Sequence, residues 1–167
     1  KIQLFYEKKQ KEVKRYYSLL GKLKNAPTKS IDGIDIELMA NIELPKDFDT
    51  VRDVGAKGVG LYRTEFLYMN REKPPEEEEH FETYMAVLKA LRGLPLTIRT
   101  LDLGADKQVD GAGKQSGPVK SNPALGLRAI RLCLREPELF RPQLRAMLRA
   151  SAHGPVRILI PMLTNTQ

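Results

Sequence analysis

The chain has little of what most catalytic and structural motifs are built from. Among 167 residues there is a single cysteine, Cys133, and there are only two histidines, His80 and His153. An intrachain disulfide is therefore impossible, and no zinc-ligand spacing occurs. Cys133 sits in the apolar helical phrase AIRLCL, where a buried, inert thiol is expected rather than a reactive one. No apolar run approaches the roughly 18 to 20 residues of a membrane span, and no charged start leads into an apolar block with a small-residue cleavage site. A cytoplasmic protein with no membrane association is the expectation. No GxGxxG opens a helix after the first strand and no Walker lysine motif is present, which disfavours a nucleotide-binding open sheet. GKQSG, from Gly113 to Gly117, is too short and too far from a strand to serve.

What is present is an ordinary globular composition, 41% hydrophobic and 29% charged, in a chain long enough to bury a core. The net charge of +7 invites a nucleic-acid reading, but its distribution argues otherwise. The excess lies in the lysine-rich start (Lys1, Lys8, Lys9, Lys11, Lys14, Arg15) and in the region Arg128 to Arg149. In both, basic residues interrupt apolar ones at helical spacing, as on a solvated helix face. No aromatic RNA-binding signature or basic arm accompanies them, so no nucleic-acid partner is expected.

Residues 1–24 place Leu4, Phe5, Val13, Tyr16, Tyr17, Leu20 and Leu23 among lysines and glutamates, which predicts an amphipathic helix ending near Asn25-Ala26-Pro27. The start, KIQLFYEKKQ, has neither an initiating Met nor a cap, the expectation for an excised piece of something longer. After an Asp32-Gly33 turn, Ile34, Ile36, Leu38, Ala40 and Ile42 alternate as in a strand with one apolar face. LPKDFDTVRDVGAKG predicts a short helix with Asp47 or Asp49 as N-cap and Gly55 or Gly58 as terminator. GVGLYRTEFL predicts a second strand, its glycines admitting a close neighbour. PPEEEEHFETYMAVLKALRG predicts the most secure helix, prolines and glutamates first, Lys89, Arg92 and Gly93 last. Its four glutamates read as a solvated first turn rather than a cation site. LTIRTLDLG predicts a third strand, residues 109–121 a long loop, residues 122–154 one or two helices divided near Glu136-Pro137, and VRILIPMLTN a fourth, buried strand.

Strands alternating with helices predict an α/β fold with a parallel sheet, either doubly wound or half of an eight-stranded barrel. Both architectures place their sites at the strands' carboxyl ends. Arg63 and Arg99 stand there, each followed by Thr, with Asp102 and Asn165 as further polar candidates. Two arginines at neighbouring strand ends predict one anion site, since guanidinium groups stay charged and present a planar fork to phosphate or carboxylate oxygens. The competing reading is that either arginine pairs with a barrel carboxylate such as Glu65 or Asp102.

GVGLYRTEFLYMNREKPPEEEEHFETY, LTIRTLDLGADK, NPALGLRAIR and QLRAMLRAS, in this order and spacing across roughly residues 30 to 163, resemble the phosphoenolpyruvate-binding barrel of the phosphoenolpyruvate-utilising enzymes, in particular the enzyme I branch of the bacterial sugar phosphotransferase system. The resemblance implies the first half, about four strands, of a (β/α)8 barrel over residues 28–167, preceded by a connector helix over residues 1–27. It implies that Arg63 and Arg99 hold the phosphate of phosphoenolpyruvate, with Lys107 and Arg128 as further substrate-binding candidates and Asp102 and Asn41 in support. Gly104-Ala105 departs from the family's paired glycines before Asp106-Lys107, which narrows backbone freedom there. The other basic residues of the helical region, Arg131, Arg135, Arg145 and Arg149, read as helix surface. The implied reaction passes a phosphoryl group to a histidine on a separate domain, with Mg2+ steadying the enolate and a cysteine protonating it to pyruvate; the Mg2+ ligands and that cysteine are expected beyond Gln167. His80 and His153 match no phosphohistidine motif and are expected at the surface. The implied partners are phosphoenolpyruvate, the phosphocarrier protein HPr or a related carrier met through an N-terminal domain, and a second copy of the parent protein. Alone, the segment is expected to be inactive, and the uncovered edges of half a barrel to favour self-association. A dikinase or synthase relative and a non-catalytic regulatory module remain as alternatives.

Overall fold

The computed structural model describes residues 2–44, 47–103 and 126–165. Its centre is a four-stranded, wholly parallel sheet whose strands lie in chain order. The strands are β1 (Ala40–Ile42), β2 (Val59–Tyr62), β3 (Leu96–Arg99) and β4 (Val156–Leu159). Parallel neighbours in sequential order, joined by helical crossovers, are the arrangement of the first half of a (β/α)8 barrel. The intervening helices are α2 (Phe48–Asp53), α3 (Glu77–Leu91), α4 (Ala129–Arg135) and α5 (Pro137–Ser151), and α1 (Ile2–Leu23) precedes the sheet.

Helix α1 forms where its spacing predicts, but none of its residues is buried. Phe5, Tyr16, Tyr17 and Leu23 all stay exposed, so its apolar stripe packs on nothing among the described residues. The first strand is much shorter than the alternation from Ile34 to Ile42 predicts. Ile34, Ile36 and Leu38 are exposed because the preceding segment folds on itself: Ile36 N–H donates to the Thr28 carbonyl at 2.8 Å, and Lys29 pairs with Asp35 in an antiparallel bridge. Only Ala40–Ile42 enters the sheet. Asp47 does stand at the N-cap of α2, but its carboxylate accepts the backbone N–H groups of Glu43 and Leu44, at 3.3 and 2.9 Å, rather than capping the helix.

The two long helices cover one face of the sheet. Val59, Tyr62, Leu96 and Ile98 from the strands meet Tyr84, Val87, Leu88 and Leu91 from α3 and Ala146, Met147 and Ala150 from α5 in the main core. At roughly 1.5–3 kcal/mol for each large side chain fully buried, this cluster is the principal source of stability. A smaller cluster of Tyr68, Leu101, Leu103, Ile130 and Cys133 seals the carboxyl end of β3. β4 was expected to be buried, yet Ile158 and Leu159 are exposed. It is an edge strand here, paired on one side with β3.

The acidic start of α3 is not merely solvated. Glu77 and Glu78 accept hydrogen bonds from Arg149 of α5 at 3.0 and 2.9 Å, and that guanidinium also lies 4.0 Å from the centre of the Phe81 ring. Glu79 receives both terminal nitrogens of Arg71, at 3.0 and 2.7 Å. These pairs fix the register of α3 against α5 and against the loop after β2.

His80 is the clearest departure from expectation, being fully buried. His153 is exposed, as predicted. The His80 ring stacks on Tyr84, and its two nitrogens meet the hydroxyls of Tyr68 and Tyr84 at 3.2 and 3.3 Å. A neutral imidazole suits this place, one nitrogen donating and the other accepting. Burial pushes its pKa down to about 4.

Two outcomes follow. Gly58 has φ +152°, and a Cβ there would stand 2.6 Å from the Pro95 carbonyl oxygen, so Gly58→Ala should destabilise the fold by more than about 1 kcal/mol, read as a fall in the urea midpoint. For His80 the folded pKa lies below the unfolded one, so the unfolded chain takes up the proton first as the pH falls. The stability that depends on neutral His80 is complete above pH 6.5 and is lost as the pH drops from 6.5 towards 4. Urea midpoints measured across that window should fall in the parent chain and fall less steeply in His80→Phe; parallel slopes would refute the assignment.

Candidate anion site at the strand carboxyl ends

The sheet register brings the two predicted arginines side by side. Tyr62 of β2 faces Ile98 of β3, so Arg63, just past β2, and Arg99, the last residue of β3, stand at the same level at the carboxyl ends. The backbone N–H of Arg63 donates to the Ile42 carbonyl at 3.1 Å, tying this end of β2 to β1 as well. Immediately beyond, a single 3₁₀ turn, Glu65–Tyr68, sends Glu65 back towards β3.

Arg99 is the fixed member of the pair. Its Nη2 donates to Glu65 Oε1 at 2.7 Å and its Nη1 lies 3.3 Å from Asp102 Oδ2, with the side chain only 20% exposed. The Nε of Arg99 is buried without a partner among the described residues. The same Glu65 oxygen accepts the backbone N–H of Asp102 at 3.2 Å. Asp102 in turn receives Arg128 through Nε and Nη2, at 3.2 and 2.9 Å. Glu65, Arg99, Asp102 and Arg128 thus form one chain of alternating charge at the carboxyl end of β3. Arg99 does pair with both carboxylates of the competing reading. Two carboxylates use only part of a guanidinium's five N–H donors, however, and their main effect is to fix the plane of the fork.

Arg128 reaches this chain because of an unusual backbone. It is the extended residue before α4, and Ala129 after it has φ +49°, a left-handed conformation that costs a non-glycine residue about 1 kcal/mol or more. The fully buried Ala129 also donates its N–H to the Leu103 carbonyl at 3.2 Å, which docks the start of α4 against the end of β3. Arg63 is different. Its side chain is 43% exposed, and the one ion pair it makes among the described residues, to Glu43, is long at 3.8 Å. Such a pair is worth between 0 and about 1 kcal/mol and is easily exchanged for a better anion.

Of the remaining candidates, Asn41 lies in β1 next to this end of the sheet and is exposed. Asn165 is exposed beyond the end of β4. Lys107, with Ala105, Asp106 and the loop predicted over residues 109–121, lies outside the described residues. Cys133 is fully buried, with its pKa pushed up to about 11 by that burial, so it neither ionises at neutral pH nor faces the site as a proton donor. Among the described residues no group of three or more His, Cys, Asp or Glu side chains is placed to hold a metal ion. Glu65 and Asp102, the carboxylates nearest Arg99, are engaged by guanidinium groups. No helix among the described residues is long and apolar enough to cross a membrane.

Three neighbours of the site were not foreseen: Thr64, Glu65 as a bridge between Arg99 and Asp102, and Gln143. Gln143 is fully buried on α5. It had a visible signal, because Gln143, Ala146, Met147 and Ala150 form one helical stripe at i, i+3, i+4 and i+7, and a polar residue on an apolar stripe must find partners inside.

Comparisons with known proteins identify the family. Residues 18–167 match the family model of the PEP-utilising enzyme, PEP-binding domain. The chain is 49% identical over 162 residues to the phosphoenolpyruvate-protein phosphotransferase of Staphylococcus carnosus, covering 97% of this chain and 28% of that protein. It is 53% identical over 144 residues to the protein of the same name from Staphylococcus epidermidis, covering 86% of this chain and 25% of the relative. The corresponding figures for the Cupriavidus necator protein are 49% over 161 residues, 96% and 27%. The chain thus spans about a quarter of the length of these relatives. A family match over most of the chain, joined to a parallel sheet that delivers paired arginines at its carboxyl ends, places this chain in the PEP-utilising enzyme family, within its PEP-binding domain.

Proposed function

We propose that this chain supplies the phosphate-holding half of the phosphoenolpyruvate site of a phosphoenolpyruvate-protein phosphotransferase. The observation that carries the reading is the placing of Arg63 and Arg99 side by side at the carboxyl ends of β2 and β3, in a chain about half identical to proteins of that name. The whole protein's reaction breaks the bond between phosphorus and the enolate oxygen of phosphoenolpyruvate and forms one between phosphorus and a histidine nitrogen. The released enolate takes a proton and becomes pyruvate. The acceptor histidine, the proton donor and the ligands for Mg2+ belong, on this reading, to parts of the protein other than the residues described, as do the contacts with a phosphocarrier protein such as HPr and with a second copy of the parent. The working place is the cytoplasm, where phosphoenolpyruvate is available.

These residues contribute positioning and charge. A phosphoryl group in flight carries its negative charge on three equatorial oxygens and needs donors already aimed at them. Arg99, held by Glu65 and Asp102, is aimed in advance. Arg63, bound only loosely by Glu43, can close on the phosphate once it arrives. Arg128 acts through Asp102 rather than directly, its Nε and Nη2 both being engaged there.

The test grafts this chain over the matched region of the Staphylococcus carnosus relative and measures pyruvate release from phosphoenolpyruvate. Activity should persist in the graft, and Arg63→Ala and Arg99→Ala should each lower kcat/KM by about a hundredfold or more, the scale of losing one preorganised donor. Turnover near the parent value in both variants would sink the reading. The chain by itself should bind phosphoenolpyruvate weakly and release no pyruvate.

A further inference from the structure

Gln143 touches both arginine-bearing strand ends at once. Its Oε1 accepts the backbone N–H of Leu101 at 2.9 Å, two residues past Arg99. Its Nε2 donates to Thr64 Oγ1 at 3.0 Å, one residue past Arg63. The Thr64 hydroxyl then donates to the carbonyl of Arg99 itself, at 3.0 Å. Thr64 and Gln143 are both fully buried. The three bonds close a ring that runs from β3 through α5 to the end of β2 and back to β3. Beyond Tyr62 and Ile98 the sheet ladder no longer dictates how far apart the two chains lie, and this ring takes over that task.

We propose that Gln143, acting through Thr64, is a positioning residue that sets the separation of Arg63 and Arg99. The proposal rests on the reading of these arginines as the phosphate-holding pair. Neither Gln143 nor Thr64 touches the anion, but a shift of the two guanidinium groups by about 1 Å is enough to degrade a preorganised site severely. An apolar side chain would pack on α5 at least as well, since the stripe's other members, Ala146, Met147 and Ala150, are apolar. What an apolar residue cannot do is hold a backbone N–H just past β3 and a threonine hydroxyl just past β2 at the same time. Beside this ring, Tyr84 of α3 reaches Tyr68 through His80. The 3₁₀ turn that bears Glu65 is thereby fastened to α3.

The experiment compares Thr64→Val with Thr64→Ser, and Gln143→Leu with Gln143→Glu, in the grafted phosphotransferase, together with amide hydrogen exchange in this chain. Valine keeps the shape of threonine and loses the hydroxyl; serine keeps the hydroxyl. Thr64→Val and Gln143→Leu should each lower kcat by about tenfold or more, with the urea m-value unchanged. Thr64→Ser should stay within about threefold of the parent, the mark of a hydroxyl rather than a packing role. The Leu101 amide should exchange faster in Gln143→Leu but not in Gln143→Glu, which keeps the accepting oxygen. Equal kcat in Thr64→Val and Thr64→Ser would overturn the proposal, as would a parent-like Leu101 amide in Gln143→Leu. Should Gln143→Leu not fold, the two Thr64 variants decide alone. If Arg63→Ala and Arg99→Ala are themselves active, it is the functional reading that has failed; if they are inactive while Thr64→Val is not, it is the positioning role.

Discussion

The parallel pairing of β2 with β3 is the constraint on which the site depends. With Tyr62 opposite Ile98, the next residues must stand level with one another at the strands' carboxyl ends, and those are Arg63 and Arg99. A slip of one residue would turn either arginine into the helix-packed face, where its charge would be buried without compensation. The same alternation that puts Leu96 and Ile98 against α3 and α5 leaves Thr97 and Arg99 on the opposite face. Hydrophobic burial on one side of the sheet therefore dictates where the cations stand on the other.

Burial of polar groups is the second theme, and it explains why the helices are more than a cover. An unsatisfied polar group in the core costs on the order of 1–3 kcal/mol. His80, Gln143 and Thr64 are all fully buried, and each has hydrogen-bond partners. Because such bonds are directional, the network admits fewer relative placements of β2, β3, α3 and α5 than apolar packing would. The ion pairs of Arg149 with Glu77 and Glu78 act at the surface to the same end, though exposed pairs contribute little energy individually. Preorganisation of Arg99 is the local result of this rigidity.

Much of this was legible in the sequence, and the failures have physical causes. Strand ends that carry Arg-Thr, the Pro-Glu start of α3 and the Glu136-Pro137 division between α4 and α5 all rest on local chemistry, and all appear in the structure. The overlong first strand failed because alternation records the capacity to form a strand, while strand length is set by the partner; Thr28 to Ile36 found a partner within the same segment. β4 reads as buried from its composition, but burial depends on what packs against it. The surface expectation for His80 rests on its matching no phosphohistidine motif, which says nothing of burial. Its helical stripe, shared with Tyr84, Val87, Leu88 and Leu91, carries the better information. The pairing of Arg149 with Glu77 joins residues far apart in the chain, and no local pattern encodes it.

Charge balance at the site bears on how it would take up an anion. Three guanidinium groups, Arg63, Arg99 and Arg128, face three carboxylates, Glu43, Glu65 and Asp102, so these described groups sum to no net charge. A site built only for affinity would leave out the carboxylates. Here they are graded: Glu65 and Asp102 hold a mostly buried arginine at close range, whereas Glu43 holds an exposed one at 3.8 Å. Releasing Arg63 costs little, and releasing Arg99 would leave the mostly buried Glu65 without its counter-ion and Asp102 with Arg128 alone. On the proposed reading, a phosphate entering between the two arginines meets one partner that moves and one that does not. That combination would limit ground-state binding while keeping a fixed donor in place for the charge that develops during transfer, and it is transition-state rather than substrate binding that raises kcat.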